Sequence, residues 1–85
     1  MDNPLQELAG RLVEVGELPD DPQAESHGVT SHGAVCSMCG EPIRPLTAEV
    51  DLTGHAHGRL LSHQTLHVEC HREWLAMVGG TRPAN

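Results

Sequence analysis

Two short motifs with the same internal spacing constrain this chain more than any other feature of its sequence. The first places Cys36 and Cys39 with two residues between them, and the second places His67 and Cys70 in the same way. Side chains three positions apart can face one point from a single turn. The 27 residues from Gly40 to Leu66 suffice for a hairpin that returns the chain. Three thiolates and one imidazole suit tetrahedral Zn²⁺. The sequence therefore predicts one structural zinc site.

The fourth ligand of this predicted site is the least constrained of the four. His67 has the matched separation from Cys70, and we expect it to be the ligand. His71 is the alternative if the C-terminal helix begins earlier, and His32 or His63 are the remaining ones.

A glycine directly follows the second thiol of the first motif. Gly40 can adopt a positive φ and so reverse the chain after Cys39. Backbone N–H groups of such a turn can point at the thiolates and reduce their charge. We therefore expect the turn itself to support the metal site.

The small size and the composition of the chain agree with a metal-stabilised fold. Its 85 residues make at most one small domain, with Trp74 as its single aromatic residue. Three cysteines are a poor disulfide framework, and clustered Cys and His in a reduced compartment are typical metal ligands. No secretory signal pattern and no run of ~20 apolar residues is found, so we expect a cytoplasmic protein without a membrane segment.

The charge of the chain bears on its partners. The formal net charge is -7, all five basic residues are Arg, and there is no Lys. Proteins that bind nucleic acid normally carry a basic surface, because neutralising phosphates supplies much of the affinity. Nucleic acid is therefore an unfavourable partner, and a protein with a basic surface is a better one.

The N-terminal segment, residues 1–16, is predicted to be an amphipathic helix. Its apolar residues recur at the helical period: Leu5, Leu8, Ala9, Leu12 and Val13. Asn3 can cap the helix, Pro4 suits its first position, and Gly16 can end it in a left-handed conformation. We expect this helix to dock on the zinc module of a monomer. Docking on a partner, a homodimer, or disorder are the alternatives.

The rest of the chain divides into three further segments. Residues 17–33 show almost no apolar periodicity and are predicted to be a linker or loop, with His27 and His32 solvated. Residues 34–80 are predicted to be the zinc-binding module, and residues 81–85 a tail.

Within the zinc-binding module the periodicity predicts a hairpin followed by a helix. Thr47–Thr53 alternates as a strand, Gly54–Gly58 is a glycine-bracketed connection, and Arg59–Leu66 can return as the second strand. A helix is predicted from Val68 onward, with Trp74, Leu75 and Val78 on the side of Cys70 and His71. Gly79 and Gly80 end it.

This order of motifs resembles the treble-clef class of zinc fingers. The turn Cys36-Ser-Met-Cys39-Gly, the hairpin, and His67-Val-Glu-Cys70 at the start of a helix are similar to half of a LIM domain. The spacing nearly matches that of PARP-type fingers, whose gap is slightly longer. The resemblance covers about 40 of the 85 residues. It implies a small α+β zinc-binding fold with a zinc knuckle, a β-hairpin and a C-terminal helix, to which this chain adds an N-terminal helix.

The departures from these families matter for function. PARP-type fingers bind DNA breaks through basic and aromatic residues, whereas this module has few Arg, no Lys and one Trp. A second LIM zinc site would need four more ligands than the chain offers. We therefore predict a small structural-zinc protein that is an interaction or regulatory module and not an enzyme.

Two other functions remain as alternatives. A nucleic-acid-associated zinc finger would be favoured if Arg44, Arg59 and Arg72 formed one face. A nuclease-like treble-clef enzyme needs histidines at a hairpin with an asparagine nearby. His55, His57 and His63 are suitably placed, but the only asparagines, Asn3 and Asn85, lie at the two ends.

Overall fold

Two helices and three strands make up the fold, which is known from a computed structural model describing residues 4–21 and 23–79. The elements are α1 (Pro4–Glu14), β1 (Glu25–Thr30), β2 (Ala48–Ala56), β3 (Arg59–His67) and α2 (Val68–Gly79). The strands form one antiparallel sheet in the order β1-β2-β3, so the fold is a small α+β one. Asn3, Gly80 and the tail 81–85 lie outside the described residues.

Helix α1 occupies most of the predicted N-terminal helix, and its apolar stripe is partly buried against the core of its own chain. Gly16 ends it with a φ of 83°, as predicted, and the N–H of Glu17 donates to the carbonyl of Leu12 at 2.8 Å. Ala9 is fully buried, and the helix packs against α2. Neither helix is long and apolar enough to cross a membrane, as far as the described residues extend.

The hairpin is longer and its turn tighter than the sequence predicts. Strand β2 continues through the predicted connection Gly54–Gly58 as far as Ala56, which pairs with Arg59. Only His57 and Gly58 remain as the turn, with φ values of 52° and 81°. Two consecutive positive φ angles are typical of the two-residue turns that match the twist of a hairpin. The glycines at both ends of this segment therefore led to a predicted connection where residues 54–56 belong to β2.

The segment 17–33 differs from the predicted linker, because it contains β1. All six β1 residues are exposed, so no apolar alternation marks the strand. It forms through backbone pairing with β2, from Glu25 opposite Thr53 to Thr30 opposite Ala48. Pairing of this kind has no local sequence pattern.

The core gathers residues from both helices, from the segment after α1 and from the sheet. Its fully buried side chains are Ala9, Leu18, Cys36, Ile43, Leu52, Leu66 and Trp74. The Nε1–H of Trp74 donates to the carbonyl of Pro19 at 2.7 Å, so the one large aromatic ring also has its polar atom satisfied. Leu75 was predicted to share the packed side of α2 but is 43% exposed, because the buried face follows Cys70 and Trp74.

Candidate metal centre

Three neighbouring elements carry the four predicted ligand residues. Cys36 and Cys39 lie in the loop between β1 and β2, His67 is the last residue of β3, and Cys70 lies in the first turn of α2. Strand β3 passes directly into α2, so the second motif spans a strand end and a helix start. The structure brings all four residues together.

The turn that carries the first two thiols, the knuckle (residues 35–42), is closed by its own backbone. The N–H of Cys36 donates to the carbonyl of Glu41 at 2.9 Å, and the N–H of Gly40 donates to the carbonyl of Cys36 at 3.0 Å. Gly40 has a φ of 78°, as the sequence predicts. The positive φ lets the chain reverse directly after Cys39 without steric cost.

The knuckle is fastened to the strand that leads to His67. The N–H of Ser37 donates to the carbonyl of Thr65 at 2.7 Å, and the N–H of Thr65 donates to Ser37 Oγ at 3.3 Å. These two bonds fix the distance between the two ligand pairs. Sequence reasoning missed Ser37, because a contact between two residues 28 positions apart leaves no local pattern.

The distances among the four side chains fit a tetrahedral ion. Nδ1 of His67 lies 3.4 Å from Sγ of Cys39 and 3.9 Å from Sγ of Cys70, and all four ligand atoms lie within 4.8 Å of one another. Zn–S bonds of ~2.3 Å and Zn–N bonds of ~2.0–2.1 Å would place sulfur and nitrogen about 3.6 Å apart on the edges of a tetrahedron. The group could therefore hold a metal ion, and its donor atoms are consistent with zinc.

The electrostatics of the first thiol favour its anionic form. Burial raises the pKa of Cys36, but backbone hydrogen bonds from Cys39, His67 and Met38 outweigh it and lower the pKa from 9.0 to about 7. Two of these donors are the N–H groups of Met38 and Cys39, at 3.4 and 3.5 Å from Sγ of Cys36. The knuckle thus supplies the N–H donors expected from its sequence.

The pKa of the second buried thiol, Cys70, is shifted in the opposite direction. Burial, with the neighbouring thiols of Cys36 and Cys39, raises the pKa of Cys70 well above its usual range. Three sulfur atoms this close cannot all carry negative charge without a cation among them. All three cysteines are free of disulfides, and the arrangement calls for a positive ion.

The other candidate for the fourth ligand has a different position. Nε2 of His71 is hydrogen-bonded to Oγ of Ser26 at 2.9 Å, and its ring lies 5.5 Å from that of Trp74. Burial lowers the pKa of His71. His71 therefore joins β1 to α2 instead of entering the ligand group.

The remaining histidines that the sequence singles out also lie outside this group. His27 and His32 are exposed, as predicted, although His27 lies in β1 and not in a loop. His63 lies beside Asp51, with Nδ1 and Oδ2 3.6 Å apart. Among the described residues, the cluster of Cys36, Cys39, His67 and Cys70 is the one whose atoms gather around a single point.

Comparisons of the chain with models of protein families, with curated proteins and with solved structures found no match. What the site can do therefore follows from its donor atoms. Four protein side chains could supply all four ligands of a tetrahedral metal ion. Structural zinc sites have such a complete protein ligand set, whereas catalytic zinc sites keep one position for water or substrate.

Proposed function

We propose that this protein is a small structural-zinc module of treble-clef type that acts by binding a protein partner in the cytoplasm. The main support for a zinc site is the convergence of three thiols and one imidazole, whose ligand atoms lie within 4.8 Å of one another. Three sulfur ligands select zinc over the harder cations Mg²⁺ and Ca²⁺, which take oxygen ligands. The four protein ligands support a structural ion, and we propose that the module is not an enzyme.

The order of the elements supports the treble-clef type. The knuckle comes first, the hairpin of β2 and β3 follows, and α2 supplies the last ligand from its first turn. Strand β1 and helix α1 are additions to that plan. They enlarge a sheet of two strands to three and cover one side of α2.

A strained and exposed leucine supports a role in protein binding. Leu46, in the loop between the knuckle and β2, is 83% exposed and has a φ of 67°. A bulky residue rarely adopts a positive φ, and backbone strain concentrates at sites of function. The N–H of Leu46 donates to the carbonyl of Ser31, which holds the loop in this conformation. An apolar side chain held in water in this way suits contact with a partner.

The positions of Arg44 and Arg59 make a role in nucleic-acid binding less favourable. Arg44 precedes β2 by a few residues, whereas Arg59 begins β3 at the hairpin turn. A strand of nine residues at ~3.3 Å per residue separates these two ends of the hairpin. With the net charge of -7, this separation disfavours a basic face for phosphates.

Elemental analysis tests the zinc. Protein purified without added metal should contain one zinc per chain, because the group offers four good ligands. Folded protein with almost no zinc would contradict the proposal.

Two matched leucine variants test the partner role. Leu46→Asp should keep the zinc and the fold but lose capture of a specific partner from the native host by zinc-loaded protein. Leu60→Asp is the control, because Leu60 is also exposed, at 60%, but lies near the hairpin turn. Equal capture by both variants would argue against the Leu46 loop. Tight, salt-sensitive binding to DNA in a gel-shift assay would favour the nucleic-acid alternative instead.

A further inference from the structure

Glu49 is a buried acidic residue of β2 with an unsatisfied side-chain oxygen. The residue is 8% exposed, and its Oε1 atom has no hydrogen-bond partner among the described residues. Buried polar atoms are nearly always hydrogen-bonded, and leaving a buried acceptor unpaired destabilises a fold. An unpaired carboxylate oxygen at this position therefore suggests that Glu49 accepts a hydrogen bond in another state of the protein.

The sheet register places Glu49 between a valine and a ligand of the metal centre. Glu49 is opposite Val29 on β1 and opposite His67 on β3. Opposed residues of an antiparallel pair share one face of the sheet, with Cβ atoms ~4.5–5.5 Å apart. Val29 has no side-chain donor, so His67 is the cross-strand neighbour that can supply one.

The imidazole of His67 has one nitrogen for the metal centre and one to spare. Its Nδ1 is the atom that faces Sγ of Cys39 and Sγ of Cys70. When Nδ1 binds a metal, the proton of the neutral ring is on Nε2, which is then a donor. The ring contacts that the structure shows for His67 involve Nδ1, and Nε2 takes no part in them. The second ring nitrogen thus belongs to a residue directly opposite the buried acceptor without a donor.

We propose that Glu49 is a positioning residue of the metal centre, which accepts a hydrogen bond from Nε2–H of His67 when Nδ1 of His67 binds the ion. This inference rests on the proposed zinc site. The bond requires the Glu49 side chain to rotate toward His67 on the face of the sheet that the two residues share. A carboxylate on the outer nitrogen fixes the tautomer and the ring orientation of a histidine ligand and raises its basicity.

Three variants of acidic residues test the role of Glu49. Glu49→Met removes the acceptor at similar size and should weaken zinc binding by about 10–100-fold in a chelator competition. Glu49→Gln keeps an oxygen acceptor and should lose less. Asp51→Asn is the matched control, because Asp51 lies on the same strand and face but opposite Thr65, which is not a ligand. Its zinc affinity should stay within about twofold of the original chain.

A second measurement keeps the test sharp if Glu49→Met does not fold. In the zinc-loaded original chain, the Nε2–H of His67 should appear in long-range ¹H–¹⁵N spectra and exchange slowly with water. In Glu49→Gln it should shift and exchange faster, while Asp51→Asn leaves it unchanged. Rapid exchange in the original chain would overturn the proposal.

The failure of this inference differs from the failure of the zinc site itself. Glu49→Met with one zinc per chain and unchanged affinity would overturn the role of Glu49 and leave the zinc module standing. An original chain that binds no zinc would overturn both.

Discussion

The metal half (residues 34–79) and the N-terminal half (residues 4–21 and 23–33) contribute to one core through different kinds of contact. In the metal half, four polar side chains converge within 4.8 Å, and backbone bonds of the knuckle hold the first two of them. The N-terminal half adds the buried side chains of Ala9 and Leu18. Both halves therefore supply apolar side chains to the core, and the metal half also contains the cluster of candidate ligands.

Besides the backbone pairing of β1 with β2, hydrogen bonds of side chains on α2 link the two halves. The carbonyl of Pro19 accepts a hydrogen bond from the Trp74 indole, and Ser26 is hydrogen-bonded to His71. Both partners in the metal half lie on α2, the helix that supplies Cys70. Helix α2 therefore connects the ligand group to the N-terminal half. We expect substitutions in the ligand group to change zinc binding and folding, and substitutions in the N-terminal half to change stability alone.

The largest effect is expected from removing a sulfur ligand. Cys39→Ser or Cys70→Ser should leave the metal half largely unfolded, because binding of a structural metal is itself part of the folding free energy. Loss of amide dispersion in NMR spectra checks this. Ser37→Ala is the control within the knuckle and should cost only about 0.5–1.5 kcal/mol, since it removes one hydrogen bond. Well-dispersed spectra from the cysteine variants would contradict the central role of the metal.

The next largest effect distinguishes His67 from His71 as the fourth ligand. His67→Ala should lower zinc affinity at least as much as the roughly 10–100-fold typical for losing a partner of a ligand. His71→Ala should chiefly lower stability, because it removes the contact with Ser26 and the ring contact with Trp74. A chelator competition on both variants measures the order. The reverse order would move the ligand to His71.

An intermediate effect is expected from deleting residues 1–16. The deletion removes the buried Ala9 and the stripe that packs on α2. At ~25 cal/mol per Å² of apolar surface, this should cost a few kcal/mol. Each kcal/mol lowers the Tm of so small a domain by roughly 4–8 °C, while zinc stays at one per chain. Light scattering should give a monomer before and after the deletion. An unchanged Tm together with loss of a dimer would show that α1 serves a partner.

The smallest effect tests the contact between the sheet and the segment after α1. A Cβ at Gly54 would lie 2.5 Å from Cβ of Ala24 and 3.0 Å from Cβ of Pro19. Gly54→Ala should therefore cost about 1–3 kcal/mol through overpacking. Gly28→Ala is the matched control, because its Cβ would meet nothing within 4 Å. Chemical denaturation of both variants measures the difference, and equal stabilities would mean that the segment after α1 is not packed against the sheet.

The ligand group was predictable from the sequence because it depends on short spacings. Two residues between Cys36 and Cys39, and two between His67 and Cys70, are enough to propose a common ion, and the structure gathers these four. Gly40 in its positive φ follows from the same turn. Helical periodicity likewise predicted both helices, because local side-chain patterning marks an amphipathic helix.

The tertiary structure alone decided what depends on distant pairing. Strand β1 has six exposed residues and exists because its backbone bonds to β2, and Ser37 joins Thr65 across 28 positions. The position of Glu49 opposite His67 is a matter of strand register. The relative position of two residues a few places apart can be predicted from the sequence, because the short backbone between them has few conformations. Contacts between separate elements depend instead on which surfaces the whole chain can bury together.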